Sequence, residues 1–180
     1  IGEQLRELRQ VKALTLRAVA DKAGISVSYL SQLERNQSRL PIGVLKKISD
    51  ALDVHMNWFF QGQAQGDPTE SDIVVRADKR RRMSFTGLGI SEELLSPNLS
   101  GPLELLLSTI APGADSEDYS HDGAEAGFVL SGTLDLWVSG REFRLMEGDS
   151  FSFKSAEVHR CANPGAVPTR VLWVITPPHY

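Results

Sequence analysis

Cysteine is nearly absent: the chain has one, Cys161, so no intrachain disulfide can form. That excludes a disulfide-stapled secreted fold and fits a reducing cytoplasm, where we expect the protein to work. Long apolar runs are missing as well. None approaches the roughly 20 residues that cross a bilayer, and the chain does not open with the charged head and apolar stretch of a secretion signal, so no membrane association is expected. The first residue is Ile1 rather than methionine, and a short leading segment is expected before it. What is present is ample for burial: 180 residues, 41% of them hydrophobic, can build one large domain or two small ones.

Positive charge is also in short supply, with a net charge of −4 that argues against a nucleic-acid partner until it is divided along the chain. Residues 1–60 carry four lysines and five arginines against three glutamates and three aspartates, a net +3, whereas residues 61–180 carry −7. The basic portion could meet phosphates.

That portion is organised around Thr15 to Gln37. Leu16, Val19 and Ala20 fall at i, i+3, i+4, and Leu30 and Leu33 resume helical spacing after a break at Gly24, which predicts two short amphipathic helices joined by a tight turn. Thr15 and Ser26 each precede a helical run and suit N-caps, and Gly24 supplies the left-handed backbone that a sharp corner requires. Before the pair, Leu5, Leu8 and Val11 form the stripe of a first helix, with Glu3, Arg6, Glu7, Arg9 and Gln10 on its wet side. After it, Ile42, Leu45, Ile48 and Leu52 make a fourth helix starting at Pro41, and Trp58, Phe59 and Phe60 close the core as a short fifth.

The run Leu-Thr-Leu-Arg-x-x-Ala-x-x-Ala-Gly-x-Ser-x-x-Tyr-Leu-Ser-x-Leu-Glu-Arg, residues 14–35, resembles the phage-repressor-like (XRE-type) helix-turn-helix family, and the likeness covers about sixty residues. It implies that the third helix, Val27 to about Glu34, enters the major groove of operator DNA. With Leu30 and Leu33 inward, Val27, Ser28, Ser31 and Gln32 face the groove: glutamine can pair with adenine, serine serves several bases, and valine can touch a thymine methyl. Arg17, Arg35, Asn36 and Arg39 are expected on phosphates, Arg17 because it stands beside a helix N-terminus, although it could instead be a solvated arginine; Tyr29 meets a phosphate or fills the helix flank, and Thr15 and Ser26 are counted with the DNA-binding residues.

From 61 to 72 the chain has no apolar periodicity and reads as a linker. Beyond it come short alternating runs separated by Gly, Pro and Ser. Strands are expected at Ile73–Arg76, Met83–Phe85, Leu103–Ile110, Gly127–Leu130, Leu134–Val138, Phe143–Leu145, Ser150–Phe153 and Arg170–Ile175, the make-up of a sandwich or barrel.

Two spaced sets lie within these runs: Tyr119-Ser-His121-Asp-Gly-Ala-Glu125 followed after six residues by Gly132, and Gly148 followed by His159 and Asn163. They resemble the two motifs of the cupin barrel family, departing from it at Tyr119, which replaces the first histidine, and at Lys154 and Ala156, which replace Pro and Gly. The resemblance implies His121, Glu125 and His159 as ligands of a divalent metal, Zn, Fe, Mn or Ni, with a fourth protein ligand in doubt because a neutral phenol binds such ions poorly. Taken singly, His121 could be solvated and His159 a satisfied barrel histidine. Cys161 would point to the same side as His159, and its simplest reading is a small buried residue.

Arg80, Arg81 and Arg82 usually read as a solvated run. An inward arginine could instead bind an acidic effector, and Arg82, Tyr119, Trp137 and Trp173 are the candidate effector-pocket residues, each tryptophan being either barrel core or pocket wall. The whole plan is similar to bacterial transcriptional regulators that sense small molecules with a cupin. It implies an α+β chain of two domains: an all-α, five-helix, lambda-repressor-like DNA-binding domain over residues 1–60, a linker over 61–72, and an all-β cupin jelly-roll over 73–180 for effector sensing and dimerisation. The expected partners are double-stranded operator DNA, a small-molecule effector and a second copy of the chain, and no enzyme activity is expected. The alternative is an iron-dependent cupin oxygenase or epoxidase with a helix-turn-helix head, for which the same triad would serve.

Overall fold

The computed structural model describes residues 1–59, 72–85, 87–97 and 101–178. Phe60 and the expected linker, apart from Asp72, lie outside them. Among the described residues four α-helices are followed by nine β-strands, an α+β chain of two domains.

The helices are α1 (Gly2–Val11), α2 (Leu16–Ala23), α3 (Val27–Glu34) and α4 (Ile42–Leu52). Helices of eight to eleven residues do not persist alone in water, so their ends must be satisfied and one face buried. Both conditions hold. The Thr15 hydroxyl accepts a hydrogen bond from the Ala18 backbone N–H at 3.1 Å, and the Ser26 hydroxyl one from that of Tyr29 at 3.1 Å. Gly24, at φ +67°, ends α2 in the left-handed conformation. Leu5, Leu8, Val19, Leu30, Leu33, Leu45, Ile48 and Leu52 interlock as one core.

Three expectations for this region need correction. Val11, expected in the stripe of α1 with Leu5 and Leu8, is 83% exposed at the end of the helix. The fifth helix is a single 3₁₀ turn, Met56–Phe59. Such a turn puts residues i and i+3 on one side, so Met56 and Phe59 are buried while Trp58 is 43% exposed rather than in the core. Arg9, expected on the wet side of α1, is instead mostly buried and forms a two-pronged ion pair with the buried Glu34 of α3, at 2.6 and 2.8 Å. It also donates to the Leu14 carbonyl at 3.0 Å.

The strands are β1 (Arg81–Phe85), β2 (Ile90–Leu94), β3 (Glu104–Ile110), β4 (Ala124–Ser131), β5 (Thr133–Val138), β6 (Arg141–Met146), β7 (Ser150–Lys154), β8 (His159–Ala162) and β9 (Thr169–Thr176). All pair antiparallel, in a six-stranded sheet ordered β1-β2-β3-β9-β4-β7 and a three-stranded sheet ordered β6-β5-β8. The crossovers that seat β9 between β3 and β4, and β8 beside β5, are those of a two-sheet jelly-roll. Two strands, β2 and β8, were not expected. The expected strand Ile73–Arg76 does not form: that segment is a turn and extended chain leading into a 3₁₀ turn at Ala77–Lys79, with Ile73 77% exposed. No strand pairs with it, because β1 is the described edge of the sheet.

Inside the jelly-roll Val129, Leu134, Leu136, Val171 and Trp173 form the apolar floor. Opposite Phe151 in the β4–β7 ladder stands Gly127, where a Cβ would lie 2.2 Å from the Phe151 ring. The bare backbone lets that ring lie across β4 and meet Trp173 edge-on at 5.0 Å.

Candidate functional site

On the helical side, the capping hydroxyls and the buried leucines fix which way α3 turns. With Leu30 and Leu33 in the core, Val27, Ser28 and Gln32 are exposed, and Ser31 is half-buried beside them. Thr15, Arg17, Ser26 and Arg35 are exposed on the same pair of helices and the loop that follows. Arg17 lies 3.9 Å from Asp21 across one turn, an exposed contact of little strength, and Arg35 donates to the Gln37 side chain at 2.9 Å.

Two of the named residues are engaged in holding the domain together. The Asn36 side-chain carbonyl, in a residue at φ +55°, accepts the Gly2 N–H at 3.0 Å and joins the start of α1 to the end of α3. The Tyr29 hydroxyl donates to the Arg39 carbonyl at 2.9 Å, which ties α3 to the loop before α4.

In the jelly-roll, Glu125 is the second residue of β4 and points inward, opposite Phe153 of β7 and Ile175 of β9. His159 opens β8 on the inner face, paired with Val138. His121 belongs to the loop between β3 and β4, which lies along β8 almost as an extra strand. Ser116 N–H donates to the Cys161 carbonyl at 2.9 Å, Tyr119 and His159 exchange backbone hydrogen bonds at 3.0 and 3.1 Å, and His121 N–H donates to Ser155 O at 3.0 Å. That docking brings the His121 ring to Glu125 at 2.5 Å and places His159 Nε2 3.3 Å from the same carboxylate oxygen. The three ligand atoms lie within 4.8 Å of one another, and their side chains are all but sealed from solvent.

The outer nitrogens of both rings decide what this cluster wants. His121 Nδ1 sits 2.9 Å from the Asp122 carbonyl, and His159 Nδ1 sits 2.7 Å from that of Glu157. A carbonyl only accepts, so each Nδ1 carries its ring's proton. In the neutral ring the lone pair is then on Nε2, aimed at the Glu125 carboxylate. Lone pairs converging at these distances need a cation between them, either a further proton on a ring or one shared metal ion. Burial pushes the Glu125 carboxyl up, but hydrogen bonds from His121 and His159 and the attraction of their charge outweigh it and bring it down to about 2. Two imidazoles and one carboxylate are the donor set of a three-ligand divalent site.

Tyr119 stands beside the triad with its ring edge-on to His159 at 4.2 Å, and burial pushes its phenol well above the usual range. Cys161 also faces inward, where burial holds its thiol protonated, up to about 12. Glu92 of β2 was missed by the sequence reading: it is buried on the inner face and accepts a hydrogen bond from Ser108 at 3.1 Å.

Of the four expected effector-pocket residues, only Tyr119 and Trp173 face the interior. Arg82 is on the outer face of β1, largely exposed and paired with Glu93 at 2.9 Å; its neighbour Arg81 shares the inner face with Met83 and Phe85. Trp137 is on the outer face of β5, with the Arg160 guanidinium 4.1 Å above its ring, because the cleft is lined by its neighbours Leu136 and Val138. Room for a ligand exists elsewhere. A cleft of about 390 Å³ opens between β6 and β7, walled by Leu136, Phe143, Leu145, Phe151 and Phe153. Phe153 carries it to within 4.9 Å of the His159 ring.

Comparison with known proteins places both halves. Residues 5–59 match the helix-turn-helix family model and residues 106–175 the cupin domain model. The chain is 28% identical over 178 residues to the HTH-type transcriptional regulator PuuR of Escherichia coli strain K12, covering 98% of this chain and 94% of that protein. Its fold is similar to that of an HTH_3 family transcriptional regulator from Vibrio cholerae, with a TM-score of 0.65, 24% identity, and coverage of 99% of this chain and 95% of that one. It also resembles the Fe(II) form of HppE, with a TM-score of 0.50, 19% identity, and coverage of 97% and 96%.

Proposed function

The chain is a helix-turn-helix protein with a cupin domain after it, the plan of HTH-type transcriptional regulators, and we propose that it works as one whose barrel senses a small molecule. The observation that carries this reading is the outer face of α3. It is capped, anchored by Leu30 and Leu33, and presents Val27, Ser28 and Gln32 to solvent where base edges could be read. The protein acts in the cytoplasm as a homodimer whose two α3 helices enter successive major grooves about 34 Å apart on a pseudo-palindromic operator. Phe128 and Leu130 support the pairing. They stand exposed on the outer face of β4, Phe128 beside Leu172 of β9, a patch that a second barrel would cover.

His121, Glu125 and His159 hold one divalent ion, Zn, Fe, Mn or Ni. When bound, such an ion offers its remaining coordination positions to an oxygen or nitrogen of the effector. The effector enters by the cleft between β6 and β7, whose size lies within the range of small-molecule sites and whose walls favour an apolar body. Selection from random DNA tests the reading. A preferred, two-fold related sequence is expected, and its absence would sink the regulator. Metal analysis of the purified protein tests the triad. An iron-loaded chain that consumed O₂ without binding any preferred DNA would favour the oxygenase alternative.

A further inference from the structure

The inner chamber of the barrel is about 20 Å³ and is bounded by Glu92, Tyr119, Glu125, Cys161 and Trp173 from the jelly-roll, and by Ile42 from α4. We propose that Ile42, a residue of the DNA-binding domain, is a wall of the sensor chamber and the contact through which the helices read what the chamber holds. This deepens the sensor reading above and rests on it.

Ile42 stands in the first turn of α4 yet is only 4% exposed. Beside it, the backbone of Gly43 meets the metal-site loop directly: a Cβ built there would lie 3.1 Å from the Tyr119 Cβ. Gly43 has no left-handed backbone to excuse a glycine, so what it supplies is close approach. One residue before Leu40, Arg39 is held from two sides of the barrel. Its guanidinium lies 3.9 Å from Glu117, and its side chain packs where Gly87, in the turn between β1 and β2, has no Cβ to obstruct it. The Arg39 carbonyl is the acceptor for Tyr29 of α3. From the loop that carries His121, a path to the recognition helix runs through residues 39–43. Beside that segment the two domains border a crevice of about 680 Å³, with Lys46 and Lys47 on one bank and Asp118 and Asp122 on the other.

A 20 Å³ chamber has room for about one water molecule, and protein interiors resist compression, so an ion at Glu125 together with the water that completes its coordination must move a wall. Glu92, Glu125, Cys161 and Trp173 are fixed in the strand ladders, and Tyr119 is bonded through its backbone to His159. Ile42 is the wall residue that these ladders do not hold. It gives way first, and α4 moves with it. A ligand that favours one position of α4 over another then biases how α3 is presented.

The test uses the full chain with Zn²⁺ alone as the probe, read by amide hydrogen exchange and by binding to a selected DNA site. Zn²⁺ is expected to slow exchange across residues 119–125 and across the first turn of α4. Gly43→Ala keeps a strong helix former in α4 and adds one methyl against Tyr119. It should preserve the response at 119–125 and lose that in α4. The factor by which Zn²⁺ changes DNA affinity, about 5- to 150-fold for coupled sites in general, should fall to near one. Ile42→Ala should do the same, with a circular-dichroism melt separating lost coupling from a lost helical core. An α4 that ignores Zn²⁺ in the unaltered chain, or a Gly43→Ala variant with the full response, overturns the proposal. If α4 responds but no DNA sequence is preferred, the wall assignment stands and the regulator reading fails.

Discussion

The two domains bury opposite things. The helical core is built of aliphatic side chains with Met56 and Phe59, and Arg9–Glu34 is its charge pair, whereas the barrel turns Glu92, Glu104, Ser108, Glu125 and His159 toward its interior. Burying polar groups is costly unless each is answered by a partner, so a core that accepts so many is being held for a purpose other than stability. In the head, the buried charges neutralise each other and clamp α1 to α3. In the barrel, His121 and His159 converge on the buried Glu125 carboxylate, the donor set of a three-ligand site.

That contrast can be broken, and the largest effect is expected in the head. Glu34→Ala strands the Arg9 guanidinium in the core and should destabilise the chain by about 3–5 kcal/mol, read from the urea midpoint. Glu125→Gln should behave in the opposite manner. It should lower Zn²⁺ affinity, measured by calorimetry, by more than the about 10- to 100-fold typical of losing an outer-shell partner, with a smaller loss of stability than Glu34→Ala. If both variants lose stability alike, the barrel's buried carboxylate is structural and the contrast dissolves.

Smaller effects sharpen the same division on the DNA side. Gln32→Ala should relax selectivity at one operator position by about 1–3 kcal/mol, while Arg17→Ala should weaken all sequences alike and reduce the salt slope by about one. Smallest of all is the thiol. With Cys161 buried and its ionisation pushed up to about 12, the native chain should leave a disulfide dye unreacted at pH 8 and react once unfolded in urea. Prompt reaction of the folded protein would show the chamber to be open.

The same difference governs how much could be read from the residues alone. The ends of α2 and α3 were legible because Thr15, Gly24 and Ser26 act on their own neighbours. Arg9 was misplaced because its partner is 25 positions away, beyond any local pattern. In the barrel, β2 escaped notice because its inward positions read Ile90, Glu92, Leu94, and β8 because they read His159 and Cys161. The groups that form the site are the ones that erase the alternation. The converse error was Ile73–Arg76, apolar enough for a strand, whereas among the described residues the sheet ends at β1. Arg82 and Trp137 failed on parity: a shift of one residue reverses the face, and parity is fixed by cross-strand register. The triad was within reach because family spacing, not periodicity, pointed to it.

Ile42 is sewn into the reading head by sequence and lies against the barrel in space. Recombination that grafts another head onto this barrel would carry a foreign side chain into the chamber, so ancestry of the head would leave its mark on what the sensor accepts. On the proposed function, specificity for the operator and specificity for the signal would be inherited together, and a modular exchange would succeed only when the join falls beyond the opening turn of α4.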